Sequence, residues 1–236
     1  MYKLFIFSIL FILSGINTAS ASVVMTGTRV IFPEQAKEKT VQLRNPDNKA
    51  YLLQMQIDDH EEIKEKADSS SSFIVTPQIF RMEPNSGQSI RIKYIGDNLP
   101  QDRETIFYFS FSQLPLLKKN EQAANQLVLA VTSRVKIFYR PKGIAGAPAD
   151  AVKALRFSLD GKRIKVSNPT GYHVVVRKAS LLVNGREITL ADSTLVAPKK
   201  ETEWTPSASV SRLAGSQLRL VVVNDYGVDN VNTINL

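Results

Sequence analysis

The side chains that most often carry acid–base, nucleophilic or metal chemistry are scarce in this sequence. It contains two histidines and no cysteine, which excludes thiol catalysis and zinc sites built from thiolates. His60 lies in the oxygen-rich run DDHEE, residues 58–62. Consecutive residues at the end of a strand point in different directions, so this run favours a solvated loop over a metal cluster. His173 lies at the start of a predicted strand with no second ligand nearby, which favours a structural role.

Other patterns typical of enzymes or nucleic-acid-binding proteins are also missing. Serines are numerous, but the sequence has no nucleophile elbow, metalloprotease helix or phosphate-binding glycine loop. The run FYFSFS, residues 107–112, places aromatic side chains on both faces of a strand. That arrangement favours core packing over a platform for stacking bases. We therefore expect a protein that is not an enzyme and that has no metal, no cofactor and no nucleic-acid partner.

One strand carries a pattern that its own domain does not explain. The run QLVLAVTSRVKIFYRP, residues 126–141, is apolar at both odd and even positions in its first half and then acquires cations. A strand with a single buried face alternates apolar and polar residues. This strand is therefore buried on both faces within the chain, or it buries one face against a partner.

The first 21 residues have the features of a secretory signal peptide. Lys3 precedes the apolar run LFIFSILFIL, and ASA at residues 19–21 provides small residues for cleavage after Ala21. An uncleaved membrane anchor is the alternative. The rest of the chain has no apolar run of about 18 residues, so we expect no membrane insertion. The formal net charge is +8, but the cations are scattered and indicate a solvated basic surface.

Short alternating segments separated by turn residues predict strands throughout, with no helical period. The strands predicted in the first half cover residues 24–32, 39–44, 50–58, 73–75, 79–82, 89–95, 105–114 and 127–139. About seven or eight short strands in this length are typical of an immunoglobulin-like sandwich. Residues 140–150, rich in proline and glycine, predict a linker. Asp160-Gly161 and Asn184-Gly185 then predict hairpins of a second sandwich. We expect domains over residues 22–143 and 144–236.

Five motifs in order resemble the PapD-like periplasmic pilus chaperones. They are TRVIFP at 28–33, LPQDRETIFYFSFSQLP at 99–115, SRVKIFYRP at 133–141, NPTGYHV at 168–174 and NDYG at 224–227. The resemblance implies an all-β fold of two immunoglobulin-like β-sandwich domains at an angle around a cleft. It also implies a periplasmic chaperone that folds and caps pilus (fimbrial) subunits and delivers them to an outer-membrane usher. The mechanism would be donor-strand complementation, in which the chaperone lends a strand to an incomplete subunit.

The resemblance also implies roles for particular residues of the unusual strand. Leu127, Leu129 and Val131 would be donor-strand residues that face the subunit, while Val128 and Ala130 would face the chaperone's own core. The cations Arg29 and Lys136 would anchor the subunit's C-terminal carboxylate in the interdomain cleft. Their charge-assisted hydrogen bonds would fix the register of the added strand.

The odd-numbered donor residues and the even-numbered Lys136 do not share a strand face. A bulge or a sharp twist would align them with one partner. Alternatively, the lysine reaches the cleft from the other side of the strand.

A further set of residues concerns the relation between the domains. The family links its domains by a salt-bridge network, and the matching residues are Glu104, Arg140 and Asp225. We expect them to hold the domain angle rather than to contact the subunit. The short segment at residues 114–125 and the absence of cysteine resemble the short-loop branch of the family, which usually serves rod-like pili with adhesive tips.

Two other classes of protein compete with this interpretation. A pilus subunit or adhesin would be a single domain with a free alternating N-terminal extension, and it would usually have a cysteine pair. An exported enzyme or ligand-binding protein would need a deep apolar pocket with converging polar groups. The chaperone interpretation carries its own expectation, because a long apolar edge strand promotes aggregation. We expect self-association or a folded-over loop to cover that edge in the free protein.

Overall fold

The computed structural model describes residues 22–59, 72–96, 99–117, 127–183 and 185–236. The predicted signal peptide and His60 lie outside these ranges. Within them, no helix is long and apolar enough to span a bilayer. Nearly all of the regular structure is strand, so the prediction of an all-β fold is confirmed.

The N-terminal sandwich consists of two packed sheets. Its strands are β1 (Val24–Met25), β2 (Arg29–Pro33), β3 (Lys39–Arg44), β4 (Tyr51–Asp58), β5 (Phe73–Thr76), β6 (Ile79–Met82), β7 (Gly87–Tyr94), β8 (Thr105–Pro115) and β9 (Val131–Arg140). One sheet has the order β1-β3-β7-β5 and the other has the order β2-β9-β8-β4-β6. Alternate residues of each strand point inward because the side-chain period of a strand is two. Phe32, Leu53, Phe109 and Ile137 lie fully buried between the sheets.

Two strand predictions in this domain are corrected by the structure. The segment 24–32 is two strands rather than one, because the backbone turns at Gly27, whose φ of 92° is readily adopted only by glycine. The turn moves the chain from one sheet to the other, so β1 pairs with β3 and β2 pairs with β9. The segment 127–139 forms a regular strand only from Val131, and residues 127–130 extend ahead of it.

The C-terminal sandwich follows a short 3₁₀ helix at Pro148–Asp150, inside the predicted linker. Its strands are β10 (Arg156–Asp160), β11 (Arg163–Asn168), β12 (Val174–Val183), β13 (Arg186–Val196), β14 (Lys200–Trp204), β15 (Gln217–Val223) and β16 (Asp229–Asn235). The sheets have the orders β10-β11-β14 and β13-β12-β15-β16.

Both hairpins predicted in this domain are confirmed by the antiparallel pairing of β10 with β11 and of β12 with β13. The strand β14 was not predicted, because its sequence KETEW is mostly charged. It completes the smaller sheet by pairing with β11 and places Trp204 in the core.

Candidate functional site

A salt-bridge network joins the two sandwiches where β9 ends. Arg140 donates from Nε to Glu104 Oε1 at 2.7 Å, and from its two terminal nitrogens to the carboxylate of Asp225 at 2.7 and 2.9 Å. Glu104 precedes β8 in the N-terminal domain, whereas Asp225 follows β15 in the C-terminal domain. The structure therefore brings the three residues of the predicted network together at the domain boundary.

Burial makes this network electrostatically strong. The Glu104 side chain is 2% exposed and that of Asp225 is 36% exposed. Burial disfavours the charged form of Arg140, but its bonds to Asp225 and Glu104 outweigh that effect and raise the pKa of Arg140 above its ordinary value. The guanidinium also lies 5.5 Å from the centre of the Tyr172 ring, within cation–π range. Arg140 therefore stays charged and tied to both domains.

Arg29 and Lys136 lie next to each other at the cleft between the domains. They are directly opposite in the parallel pairing of β2 with β9, so their side chains leave the same face of the sheet. The guanidinium of Arg29 donates to the Val223 carbonyl of the C-terminal domain at 3.0 Å. Its Nε is buried without a hydrogen-bond partner in the described part of the chain. Burial lowers the pKa of Arg29, and Asp225 partly opposes that shift.

The two cations line neighbouring parts of the cleft. Arg29 borders a cavity of about 390 Å³, and Lys136 borders one of about 630 Å³. The cavities share walls formed by His173, Val175 and Val223 of the C-terminal domain. The cleft thus presents two adjacent positive charges among apolar side chains, and its walls also include the carboxylates of Glu104, Asp225 and Asp59.

The register of β9 bears on how Lys136 reaches the cleft. Its pairing with β8 runs from Val131 to Tyr139 without a shift, so the described strand contains no bulge. Lys136 lies on the even-numbered face with Phe138, whose ring is 5.4 Å from that of His173 in the other domain. Of the two alternatives from the sequence, the geometry agrees with a lysine on the opposite strand face from Leu127, Leu129 and Val131.

The expected donor residues are exposed at the other end of this segment. Leu127, Leu129 and Val131 are 85%, 62% and 45% exposed. They share the odd-numbered parity of Val135, Ile137 and Tyr139, which pack in the N-terminal core. At Val131, the first residue of β9, the odd-numbered face is thus exposed, whereas it is buried at the end of the strand.

The expectation that Val128 and Ala130 face the chaperone's own core is wrong. Both residues are exposed, and Val128 retains 38% of its accessible surface. The physical reason is that residues 127–130 extend past the last position at which β9 pairs with β8. In the paired part of β9 it is the odd-numbered residues that face the core.

Two family models together cover the described chain. The model for the "Pili and flagellar-assembly chaperone, PapD N-terminal domain" matches residues 22–145. The model for the "Pili assembly chaperone PapD, C-terminal domain" matches residues 150–234. The chain belongs to the PapD-like pilus chaperone family. It is a pilus-assembly chaperone and not an enzyme, which removes the subunit and enzyme alternatives.

Individual relatives agree with this assignment over nearly the whole length. The chaperone protein HifB of Haemophilus influenzae is 35% identical over 216 residues, which cover 90% of this chain and 87% of that protein. The crystal structure of the YadV chaperone, a protein of Escherichia coli, is 28% identical with a TM-score of 0.78 and covers 92% of this chain and 100% of that chain. A structure of the Salmonella enterica SafA pilin in complex with the SafB chaperone matches with 27% identity and a TM-score of 0.74, covering 93% of this chain and 99% of that chain.

Sequence reasoning missed some residues that organise the site of this chaperone. The Glu104 carboxylate accepts hydrogen bonds from the backbone N–H of His173 at 2.8 Å, and its Oε2 lies 3.2 Å from the histidine Nδ1. His173 therefore belongs to the salt-bridge network that joins the two sandwiches. On the cleft face of β9, Arg134 pairs with Asp58 and lies 4.2 Å from the centre of the Tyr108 ring. The NPTGYHV motif contains the signal for His173, but nothing in the sequence pairs Arg134 with Asp58.

Proposed function

We propose that this chaperone works in the periplasm by donor-strand complementation, capping pilus subunits and delivering them to an outer-membrane usher. The observation that carries the proposal is the open edge of β9. Its partner β2 begins opposite Lys136, so β2 does not cover the backbone edge upstream of that residue. An incomplete subunit can add a strand there through main-chain hydrogen bonds. The pilin complex of the SafB chaperone supports a pilus subunit as the partner.

The exposed side chains provide the apolar part of this interaction. Leu127, Leu129 and Val131 project from the face that continues the N-terminal core, so a subunit groove would extend that core. Full burial of each side chain contributes about 1.5–3 kcal/mol before the cost of ordering the segment. A subunit that lacks its last strand has an open groove of complementary shape and chemistry.

The two cations define where the subunit strand ends and which way it runs. A C-terminal carboxylate between Arg29 and Lys136 would receive two charge-assisted interactions. The rest of the subunit strand would then lie upstream along β9, toward Leu127. It would run parallel to β9 and occupy the edge that β2 occupies beyond Lys136. This end point fixes the register, and a slip of one residue would turn the donor side chains to the wrong face.

The decisive experiment is co-expression with the pilus subunit encoded nearby, followed by purification from the periplasm. Arg29→Ala and Lys136→Ala remove one anchoring charge each. Arg91→Ala is the control, because it removes an exposed cation from β7, in the sheet that faces away from the cleft. All variants are first checked for native circular dichroism. We expect the wild type and the control to retain the subunit and both cleft variants to lose it.

Other outcomes of this experiment have distinct meanings. If both cleft variants retain the subunit as well as the control does, the anchor is wrong. If the wild type captures no subunit while the subunit is present in the periplasm, the capping proposal itself is wrong for that partner.

A further inference from the structure

The end of β15 and the turn that follows it contact the N-terminal domain at three points. The Val223 carbonyl accepts a hydrogen bond from Arg29, and Asp225 binds Arg140. The third point is Gly227, which packs against the side chain of Thr28. Because Thr28 directly precedes Arg29, this turn, residues 224–228, lies against the part of the backbone from which the anchoring arginine projects.

The turn is held in one shape by its own hydrogen bonds. The Asn224 side chain accepts hydrogen bonds from the backbone N–H groups of Tyr226 and Val228, both at 3.0 Å. Backbone bonds from Asn224 N to the Val228 carbonyl and from Gly227 N to the Asn224 carbonyl, both 2.9 Å, close the loop. An asparagine that bonds the backbone two residues ahead stabilises a turn of this type. The turn can therefore act as a rigid surface for Thr28.

A side chain at Gly227 would meet the exposed side chain of Thr28. A Cβ atom at this position would overlap Thr28 Oγ1 and would lie 3.5 Å from Thr28 Cβ. The glycine also has a φ of 81°, in the left-handed region that residues with a side chain adopt only at a cost. Glycine at this position thus avoids the overlap with Thr28 and permits the left-handed backbone. Only the overlap involves the other domain.

We propose that the close packing of Gly227 against Thr28 positions Arg29 for the subunit carboxylate. The inference rests on the proposed function, since it concerns the same anchor. Arg29 belongs to the N-terminal domain, whereas the carbonyl that orients its guanidinium belongs to the C-terminal domain. An added Cβ at Gly227 would displace the Thr28 side chain from its present position. If Thr28 shifts with it, the adjacent Arg29 moves relative to the Val223 carbonyl that orients its guanidinium. Gly227 and Thr28 are therefore positioning residues that do not touch the carboxylate.

A second glycine of the same domain provides a matched control. Gly215 has the same φ of 81°, but the nearest atom to an added Cβ is a guanidinium nitrogen of Arg212 at 4.0 Å. Gly215→Ala and Gly227→Ala therefore carry a similar backbone cost. Only Gly227→Ala introduces an overlap with the N-terminal domain. The double variant Gly227→Ala with Thr28→Ala removes Oγ1 and relieves that overlap.

The readout is the preference of the chaperone for a free carboxylate. The probe is a synthetic peptide of the subunit's last 10 residues, the length of β9, made with a free C-terminus and with a C-terminal amide. Affinities are measured by calorimetry. The affinity for the free-carboxylate peptide divided by that for the amide peptide gives the carboxylate preference. We expect Gly227→Ala to reduce this ratio about tenfold, because about tenfold corresponds to the loss of one charge-assisted hydrogen bond. Gly215→Ala should keep the wild-type ratio, and the double variant should recover it.

Several results would overturn the inference. They are an equal loss for both peptides, a Gly227→Ala ratio no different from that of Gly215→Ala, or no recovery in the double variant. If Gly227→Ala does not fold, Thr28→Ala alone decides, because it leaves the turn backbone unchanged. An unchanged ratio in that variant would contradict the role of the contact. If the wild type itself shows no preference for the carboxylate, the anchor is wrong and the positioning role falls with it.

Discussion

The two carboxylates that bind Arg140 differ in how easily each could lose its bonds to that arginine. Asp225 is partly solvated and can exchange its bonds to arginine for bonds to water. Glu104 is buried and accepts hydrogen bonds from Arg140 and His173 at the same time. A buried carboxylate with several donors around it costs more to disturb than an exposed ion pair. Glu104 is therefore the residue of the network on which the hinge most depends.

We expect Glu104→Gln to lower the free energy of unfolding by about 3 kcal/mol, because one charge is removed from a buried network. The value stays at the low end because Arg140 keeps Asp225. The control is Asp150→Asn, which removes the exposed pair with Lys153 and should cost less than about 1 kcal/mol. Urea unfolding followed by circular dichroism measures both variants. Equal losses in the two variants would mean that the buried network does not stabilise the fold.

The sequence predicts some residues of the site but not the contacts that they make. Glu104, Arg140 and Asp225 follow from the family motifs, which mark positions and roles. The two contacts of Glu104 with His173 do not, because a histidine at a strand start gives no sign of which domain it meets. The Gly227–Thr28 contact likewise cannot be predicted from the sequence. The glycine codes for a left-handed turn in any context, and its neighbour is almost 200 residues away along the chain.

The two faces of β9 have different surroundings. Its odd-numbered face is core at one end and exposed at the other, while its even-numbered face turns toward the cleft. Leu129 and Val128 lie ahead of β9 and are adjacent, exposed and similar in size. If the strand continues through them when a subunit binds, they will belong to opposite faces. Substitutions at these two positions can therefore show whether subunit binding needs specific donor side chains or only an apolar surface.

We expect Leu129→Ser to weaken subunit binding about tenfold to a hundredfold, the effect of losing one buried leucine side chain. Val128→Ser should change it by less than about threefold, since that side chain points away from the groove. Retention of the subunit after periplasmic co-expression, followed by titration with the C-terminal peptide, measures both effects. A larger effect at Val128 than at Leu129 would assign the groove to the other face.

Alternation predicts the elements of this protein well where one face is buried and one is solvated. The segments 39–44 and 79–82 match β3 and β6 at both ends. The pattern fails where that condition fails. In KETEW both faces carry charge, so β14 is missed. Ahead of Val131 both faces are apolar, and the pattern alone cannot distinguish a core from a partner. The placement of Val128 and Ala130 against the core came from the family resemblance, and their exposure contradicts it.

At the scale of the whole molecule, the two sandwiches are joined by contacts that converge on one region. Arg29 reaches Val223, Arg140 reaches Asp225, and the Glu104 N–H donates to the Gly171 carbonyl at 2.8 Å. Lys199 adds an exposed pair with Asp102, whose pKa is lowered chiefly by that hydrogen bond. The residues that join the two domains therefore adjoin those proposed to bind the carboxylate. A change of angle would alter the anchor before it altered the donor segment.

The exposed donor segment also has a consequence for the free protein. Leu127, Leu129 and Val131 form an apolar edge that β2 leaves uncovered, and such edges associate with other strands. We expect the purified chaperone to form dimers at high concentration, with this edge at the interface. Sedimentation velocity over a concentration series measures the dimer fraction.

The double variant Leu127→Ser with Leu129→Ser should be monomeric over the same series, and Val128→Ser should dimerise like the wild type. The free-carboxylate subunit peptide should dissociate the wild-type dimer, because both interactions need the same edge. A wild-type protein that remains monomeric throughout would show that its edge does not associate. A dimer that persists in the double serine variant, or in the presence of saturating peptide, would place the interface elsewhere.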